Sequence, residues 1–310
     1  MQIKDKVLDV PVIQGGMGVG VSLSSLAGAV AANGACGVIS SVNAGYDEQD
    51  FKSSPFKANL RALDYHIKRA KQIAAESTKK GLVAVNIMTA VSHYEESCKT
   101  AVSAGADIII SGAGLPLNLP QFTKGTDTLA APIVSSGRAA RIIMKTYKKH
   151  YDVYPDMFII EGSMAGGHLG FGADDITQGK TQSNDEILSD VLAVIEESGA
   201  DIPVFVAGGV FDGKDMAPVS YTHLTLPTQV YRLRQDSLLP MNVMLQIHLN
   251  RLLLMQREKT SVLLKVLLEC RHVQLTAHCL KGLMQEKPSR QENVMVVLQH
   301  VRRMTVYHIA

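Results

Sequence analysis

The residues best suited to chemistry lie in the segment 156–172, DMFIIEGSMAGGHLGFG. Phe158, Ile159 and Ile160 form a short apolar run, the pattern of a strand buried on both faces. Glu161 and Gly162 end it, and Ala165, Gly166 and Gly167 then place His168 where the backbone has almost no side chains. Small residues let a large planar ligand lie against the main chain. A histidine beside such a floor can donate a hydrogen bond, accept one, or take a proton near neutral pH. The same residues also read as a glycine-rich turn with a solvated histidine, because a short motif is only a hypothesis.

Other clusters end other apolar runs. Gly15, Gly16, Met17 and Gly18 follow the run 10–14; Asn86 stands near the end of 82–87. Gly112 to Gly114 follow 107–111, Ser135 to Gly137 close 132–135, and Ala207, Gly208 and Gly209 close 202–206. Unencumbered backbone N–H groups at the last cluster can point at an anion such as phosphate. Backbone amides, one carboxamide, a phosphate cradle and a flat glycine floor together suit flavin mononucleotide (FMN). Any one cluster alone is as well read as a tight turn. It is their joint occurrence at the first, third, sixth and seventh runs that favours a ligand.

The elements that must position these groups alternate. Between the runs at 10–14, 36–41, 82–87, 107–111, 132–135, 158–160 and 202–206 stand helices, or segments of helix length. The helices are expected near residues 23–32, with Ser22 as N-cap, 60–77, 94–104, 138–150 and 184–198. Asp212 can cap a last one. Such alternation implies parallel strands joined by right-handed crossovers. The fold class is therefore α/β: a (β/α)8 TIM barrel with the eighth unit missing or replaced. In that fold the reactive face lies at the C-terminal ends of the strands, where every cluster above falls. A doubly wound open sheet is the competing architecture. Its usual G-x-G-x-x-G fingerprint is not matched, because residues 16–20 are too compressed.

The chain has 310 residues, 46% hydrophobic and 19% charged, with a net charge of +2. That balance advertises neither a nucleic-acid nor a membrane partner. The first residues show no secretion signal, and no run is long enough to span a bilayer, so a cytoplasmic enzyme is expected. Cys36, Cys98, Cys270 and Cys279 have no disulfide-framework spacing. Cys36 and Cys98 read as small buried residues, whereas His66, His93 and His150 read as solvated. No metal site is expected: Cys270, His272, His278 and Cys279 lack the usual finger spacing.

In order along the chain, VIQGGMGVG, VAVNIM, PIVSSGRAA, IIEGSMAGGHLGF and VFVAGGVFDG resemble the nitronate monooxygenase family, over about residues 8–217. The resemblance implies FMN in a (β/α)8 barrel, with alkyl nitronates oxidised by dioxygen to carbonyl compounds and nitrite. Its partners are then a small-molecule substrate and dioxygen. By position, His168 resembles the family's catalytic histidine. Gly16, Met17, Asn86, Glu161, Gly166, Gly167, Ala207, Gly208 and Gly209 resemble its FMN contacts. Glu161 is a departure, since many members carry glutamine there, and a carboxylate beside an electron-rich flavin would disfavour the reduced anion. A flavin-dependent enoyl-acyl-carrier-protein reductase using NAD(P)H shares the G-G-H region and is the alternative enzyme. An inactive truncated barrel is the alternative outside catalysis.

Two segments are distinguished: 1–219, the FMN-binding barrel domain of seven βα units, and 220–310, an unrelated helical or disordered tail. Of the 25 glycines only Gly282 lies in the second segment, and acids outnumber bases before residue 220 but not after it. The genetic code offers a reason. Read from the third base of each codon, residues 234–246 can spell TRFVAADECDAS, and Met241 before Asn242 forces the glutamate. Residues 265–270 can give a run like SPVGM, and 293–298 can give CYGCF. The family has such motifs in that order. The tail is therefore expected to be a frame-shifted translation, with the frame lost between about residues 218 and 233.

Overall fold

In the computed structural model, residues 1–165 and 170–208 are described. The order of elements opens with a short antiparallel hairpin, β1 (Gln2–Ile3) and β2 (Lys6–Val7). Then come α1 (Ser24–Ala32), β3 (Cys36–Ser40), α2 (Pro55–Ala75), β4 (Leu82–Met88), α3 (Tyr94–Ser103) and β5 (Ile108–Gly112). They are followed by α4 (Pro120–Thr123), β6 (Leu129–Val134), α5 (Gly137–Tyr151), β7 (Phe158–Glu161), α6 (Ala173–Thr177), α7 (Asn184–Ser198) and β8 (Val204–Ala207).

Strands β3 to β8 form one sheet in sequential order, every neighbouring pair parallel. A doubly wound sheet would reverse its strand order at a switch point; this sheet does not. The expected first strand is present in reduced form. Ile13 bridges Cys36 in parallel, Val10 N–H donates to Gly34 C=O (2.8 Å), and Cys36 N–H donates to Val12 C=O (2.9 Å). Pro11 has no N–H to give the ladder, which keeps this strand irregular. The architecture is that of a TIM barrel, with seven of its strands and the helices between them lying within residues 1–208.

Strand alternation sorts the core into two layers. Cys36, Val38, Ala84, Ile108, Ile110, Ala131 and Ile159 face the barrel interior, where Ile3 and Leu8 of the hairpin segment join them. Ile39, Val83, Val85, Ile109, Val134 and Ile160 face outward and pack under the helices. The helices answer with apolar stripes: Ala58, Ala62, Leu63, Ile67 and Ala70 on α2, and Ile187, Leu188, Val191 and Ile195 on α7.

At the N-terminal ends of the strands, three aspartates repeat one device. Asp9 accepts from Lys80 N–H (2.7 Å), Asp107 from Val83 N–H (2.9 Å) and Asp156 from Ala130 N–H (2.7 Å). Each stands before a strand: Asp107 and Asp156 fasten the entries of the adjacent β4 and β6, and Asp9 fastens the turn that leads into β4. Asp107 also meets Lys71 of α2 at 2.7 and 2.8 Å and Lys6 of the hairpin at 3.5 Å, while Lys4 pairs with Asp156.

Several expectations shift. Helix α2 starts at Pro55 rather than near residue 60, because proline suits the first helical position, whose N–H has no partner in any case. Strand β6 starts at Leu129, and Pro132 lies within it, opposite Ser111. Helix α7 has the expected bounds, with a reciprocal cap between Ser183 and Glu186. The expected cap role of Asp212, like the whole of 220–310, lies outside the described residues.

Candidate active site

The candidate site is the rim formed by the C-terminal ends of the strands. Its first wall is the loop after residue 14. Gln14 reaches under this loop: its Nε2 donates to Ser22 Oγ (2.9 Å) and to Val38 C=O (3.2 Å), and its Oε1 accepts from Val38 N–H (3.3 Å). Ser22 does not cap α1, whose N-cap is Leu23 without a side-chain bond. Instead Ser22 Oγ accepts from Met17 N–H (2.9 Å), and Ser22 N–H donates back to Met17 C=O (3.0 Å). The expected helix cap is thus the staple of the glycine loop, a role that local sequence cannot announce because Gln14 and Val38 lie on two different strands.

That staple presses Gly16 onto β4. A Cβ at Gly16 would lie 2.9 Å from Asn86 Cβ and 3.3 Å from its Nδ2. Only glycine allows this approach, so Gly16 and Asn86, 70 residues apart in sequence, share one corner of the rim. Asn86 is half-buried, and among the described residues its carboxamide makes no hydrogen bond. Met17 beside them is 43% exposed.

The opposite wall is the end of β7 and β8. Glu161 is the last residue of β7 and pairs in register with Ala207 of β8. Met157 and Ile159 belong to the barrel interior, so strand alternation turns Glu161 to the same face at its upper edge. Burial pushes its carboxyl up from 4.5 to about 7, and no charged side chain among the described residues offsets it. Gly162 N–H donates to Ala207 C=O (3.1 Å), and Ala165 N–H to Gly162 C=O (3.0 Å). Gly208 has φ +97°, and a Cβ there would meet Ala165 N at 2.9 Å. Its left-handed backbone lets β8 end against the turn that follows β7. Asn184, at the start of α7, was not singled out from sequence: its Nδ2 donates to Gly208 C=O (2.8 Å), and its Oδ1 packs on Gly162. An asparagine opening a helix signals a cap, which hides this bridging role.

The structure therefore places Gly16, Met17, Asn86, Glu161, Ala207 and Gly208 on the rim. Gly166, Gly167, His168 and Gly209 lie outside the described residues. The described flanks of 166–169 both reach the rim: Ala165 lies against Gly208, and Gly170 lies against Ser135, at the end of β6.

Other sequence readings are resolved as well. Cys36 and Cys98 are free and buried, with thiols pushed up by burial. His150 and His93 are exposed, His93 stacked on Phe56 at 3.7 Å. His66 is not solvated: it is half-buried, with Nδ1 3.0 Å from Ser24 Oγ, and burial lowers its pKa. It packs α2 onto α1, a tertiary contact that the helix pattern alone does not reveal. No helix among the described residues is long and apolar enough to cross a membrane.

A family model described as nitronate monooxygenase matches residues 2–221. The chain belongs to the nitronate monooxygenase family. Among solved structures it is similar to the nitroalkane oxidase from Streptomyces ansochromogenes, at 19% identity and a TM-score of 0.53. The match covers 70% of this chain and 63% of that one. It is also similar to FabK from Thermotoga maritima, at 23% identity and a TM-score of 0.49, covering 69% of this chain and 56% of that one. The nitroalkane oxidase match shows a shared fold. This nitronate monooxygenase family member spans less than two thirds of the length of either structure. No curated protein matches it.

Proposed function

We propose that the rim binds FMN and that the chain is a flavin-dependent oxidoreductase that oxidises alkyl nitronates with dioxygen to carbonyl compounds and nitrite. The observation that carries the reading is the Gly16–Asn86 corner. A side-chain-free backbone lies against a carboxamide that has no partner among the described residues, on the same rim as Glu161, Ala207 and Gly208. Such an arrangement fits a flat polar ligand better than a tight turn, which has no need of an open carboxamide.

FMN, when bound, supplies the electron acceptor that the side chains themselves lack. Gly16, Met17, Asn86, Glu161 and Gly166 would hold its ring end, and Ala207, Gly208 and Gly209 would hold its phosphate. Asn86 offers one acceptor and two donor hydrogens to whatever lies at its corner. His168, assigned by its place in the motif, removes a proton from a neutral nitroalkane or, protonated, holds the nitronate anion. A nitronate is already an anion, so the protein needs only to bind and orient it before electron transfer.

The test is spectroscopic. The purified full chain should show flavin absorption that bleaches when propane-2-nitronate is added without oxygen. Bleaching by NADPH but not by the nitronate would move the assignment to an enoyl-acyl-carrier-protein reductase. A folded but colourless protein that takes up no added FMN would leave the barrel without this function.

A further inference from the structure

Resting on that flavin reading, we propose that Glu161 enters the FMN site as the neutral acid, so that FMN binding takes up one proton at this carboxyl. Among the described residues, the geometry is that of a carboxyl with nothing to neutralise it. Glu161 ends β7 on the interior face, with Ile159 and Met157 below it. From β8 it faces Ala207, with Phe205 one step lower; from β6 the nearest inward positions are Ile133 and Ser135. From α7 the residue at this corner is Asn184. None of these residues is charged, and no described side chain forms an ion pair or hydrogen bond with Glu161.

A ring laid on the rim would remove more water from this carboxyl and make its charged form less favourable still. The neutral acid presents one donor and one acceptor, the pair a carboxamide also presents. It can therefore satisfy a polar ring edge without adding negative charge. The carboxyl already sits near neutrality before any ligand arrives, as burial alone accounts for its raised pKa. Little is then needed to complete the protonation. The proton comes from solvent, and no oxidant or reductant takes part.

The experiment is calorimetric titration of the full chain with FMN from pH 6 to 9, each pH in two buffers of different ionisation enthalpy. Wild type should take up close to one proton per FMN at pH 8. Its affinity should fall by up to ~50-fold from pH 7 to 9, approaching tenfold per pH unit. The isosteric variant Glu161→Gln should bind without proton uptake and without that slope, and at pH 9 it should bind more tightly than wild type. Wild-type uptake near zero overturns the proposal without any variant. A slope that persists in Glu161→Gln assigns the proton elsewhere and also overturns it. Absence of FMN binding by either protein at every pH overturns the flavin reading itself, and this proposal with it.

Discussion

Replacing Asp107 by alanine should unfasten the closed end of the barrel while leaving every rim residue untouched. Its carboxylate is 9% exposed and has three partners. The hydrogen bond from the buried Val83 N–H at 2.9 Å is charge-assisted, and its loss costs about 1.5–3 kcal/mol. Lys71 meets both oxygens at 2.7 and 2.8 Å but is itself 41% exposed, so solvent limits that pair to about 1 kcal/mol or less. Lys6, 3.5 Å away and only 14% exposed, is left without its counter-charge, which adds a penalty of the kind seen when one partner of a buried pair is removed. Together these put Asp107→Ala at about 3–5 kcal/mol, a large part of the ~5–15 kcal/mol that holds a domain together. Asp107→Asn keeps an acceptor for Val83 and should lose only about 1–2 kcal/mol. Urea denaturation followed by circular dichroism reads both values. If Asp107→Ala lies within about 1 kcal/mol of wild type, the three-way fastening contributes little and the reasoning fails.

Glu161 makes a pH-dependent contribution of definite sign. Its carboxyl goes from 4.5 in the unfolded chain to about 7 in the folded one, so its contribution is complete below 4.5 and lost as pH rises through about 7. The ceiling is roughly 3 kcal/mol, and solvent screening of this half-buried group reduces it to about 1–2 kcal/mol. Denaturation at pH 5 and pH 8 should show that loss in wild type and not in Glu161→Gln. Gly16→Val should displace Asn86 and weaken FMN binding at least tenfold while the far-ultraviolet spectrum is preserved; unchanged affinity would remove that corner from the site. Ser183→Ala should cost about 1 kcal/mol through loss of the α7 cap, measurable by thermal melting. Sequencing the coding DNA tests the frame-shift proposal for 220–310: a one-base change between codons 218 and 233 should restore T-R-F followed by E-C-D-A, and an intact frame with unrelated codons would end it.

The sequence carried the barrel because buried parallel strands are apolar almost end to end, and runs such as DIIIS and FII are hard to read otherwise. Helix α7 was legible to the residue because Ser183 and Glu186 mark its start and Gly199, at φ +68°, marks its end. The hairpin β1–β2 was not, since two-residue strands have no periodicity to detect. Pro55 marks the start of α2, a signal that the expectation of a helix near 60–77 does not use. On the rim, glycine clusters and Asn86 could be seen one strand at a time. The Gln14–Ser22–Val38 staple and the Asn184–Gly208 bridge could not, because each joins residues whose proximity exists only once the strands are side by side.

Asp9, Asp107 and Asp156 have a consequence for how such a chain is built and varied. Each ties the segment before its own strand to backbone at the entry of another strand, so one pole of the barrel holds together without reference to what the loops at the other pole contain. Ligand-handling loops can therefore be exchanged over evolutionary time while the anchoring pole stays fixed. Under that logic, substitutions at these acids should register as lost protein yield rather than as altered turnover.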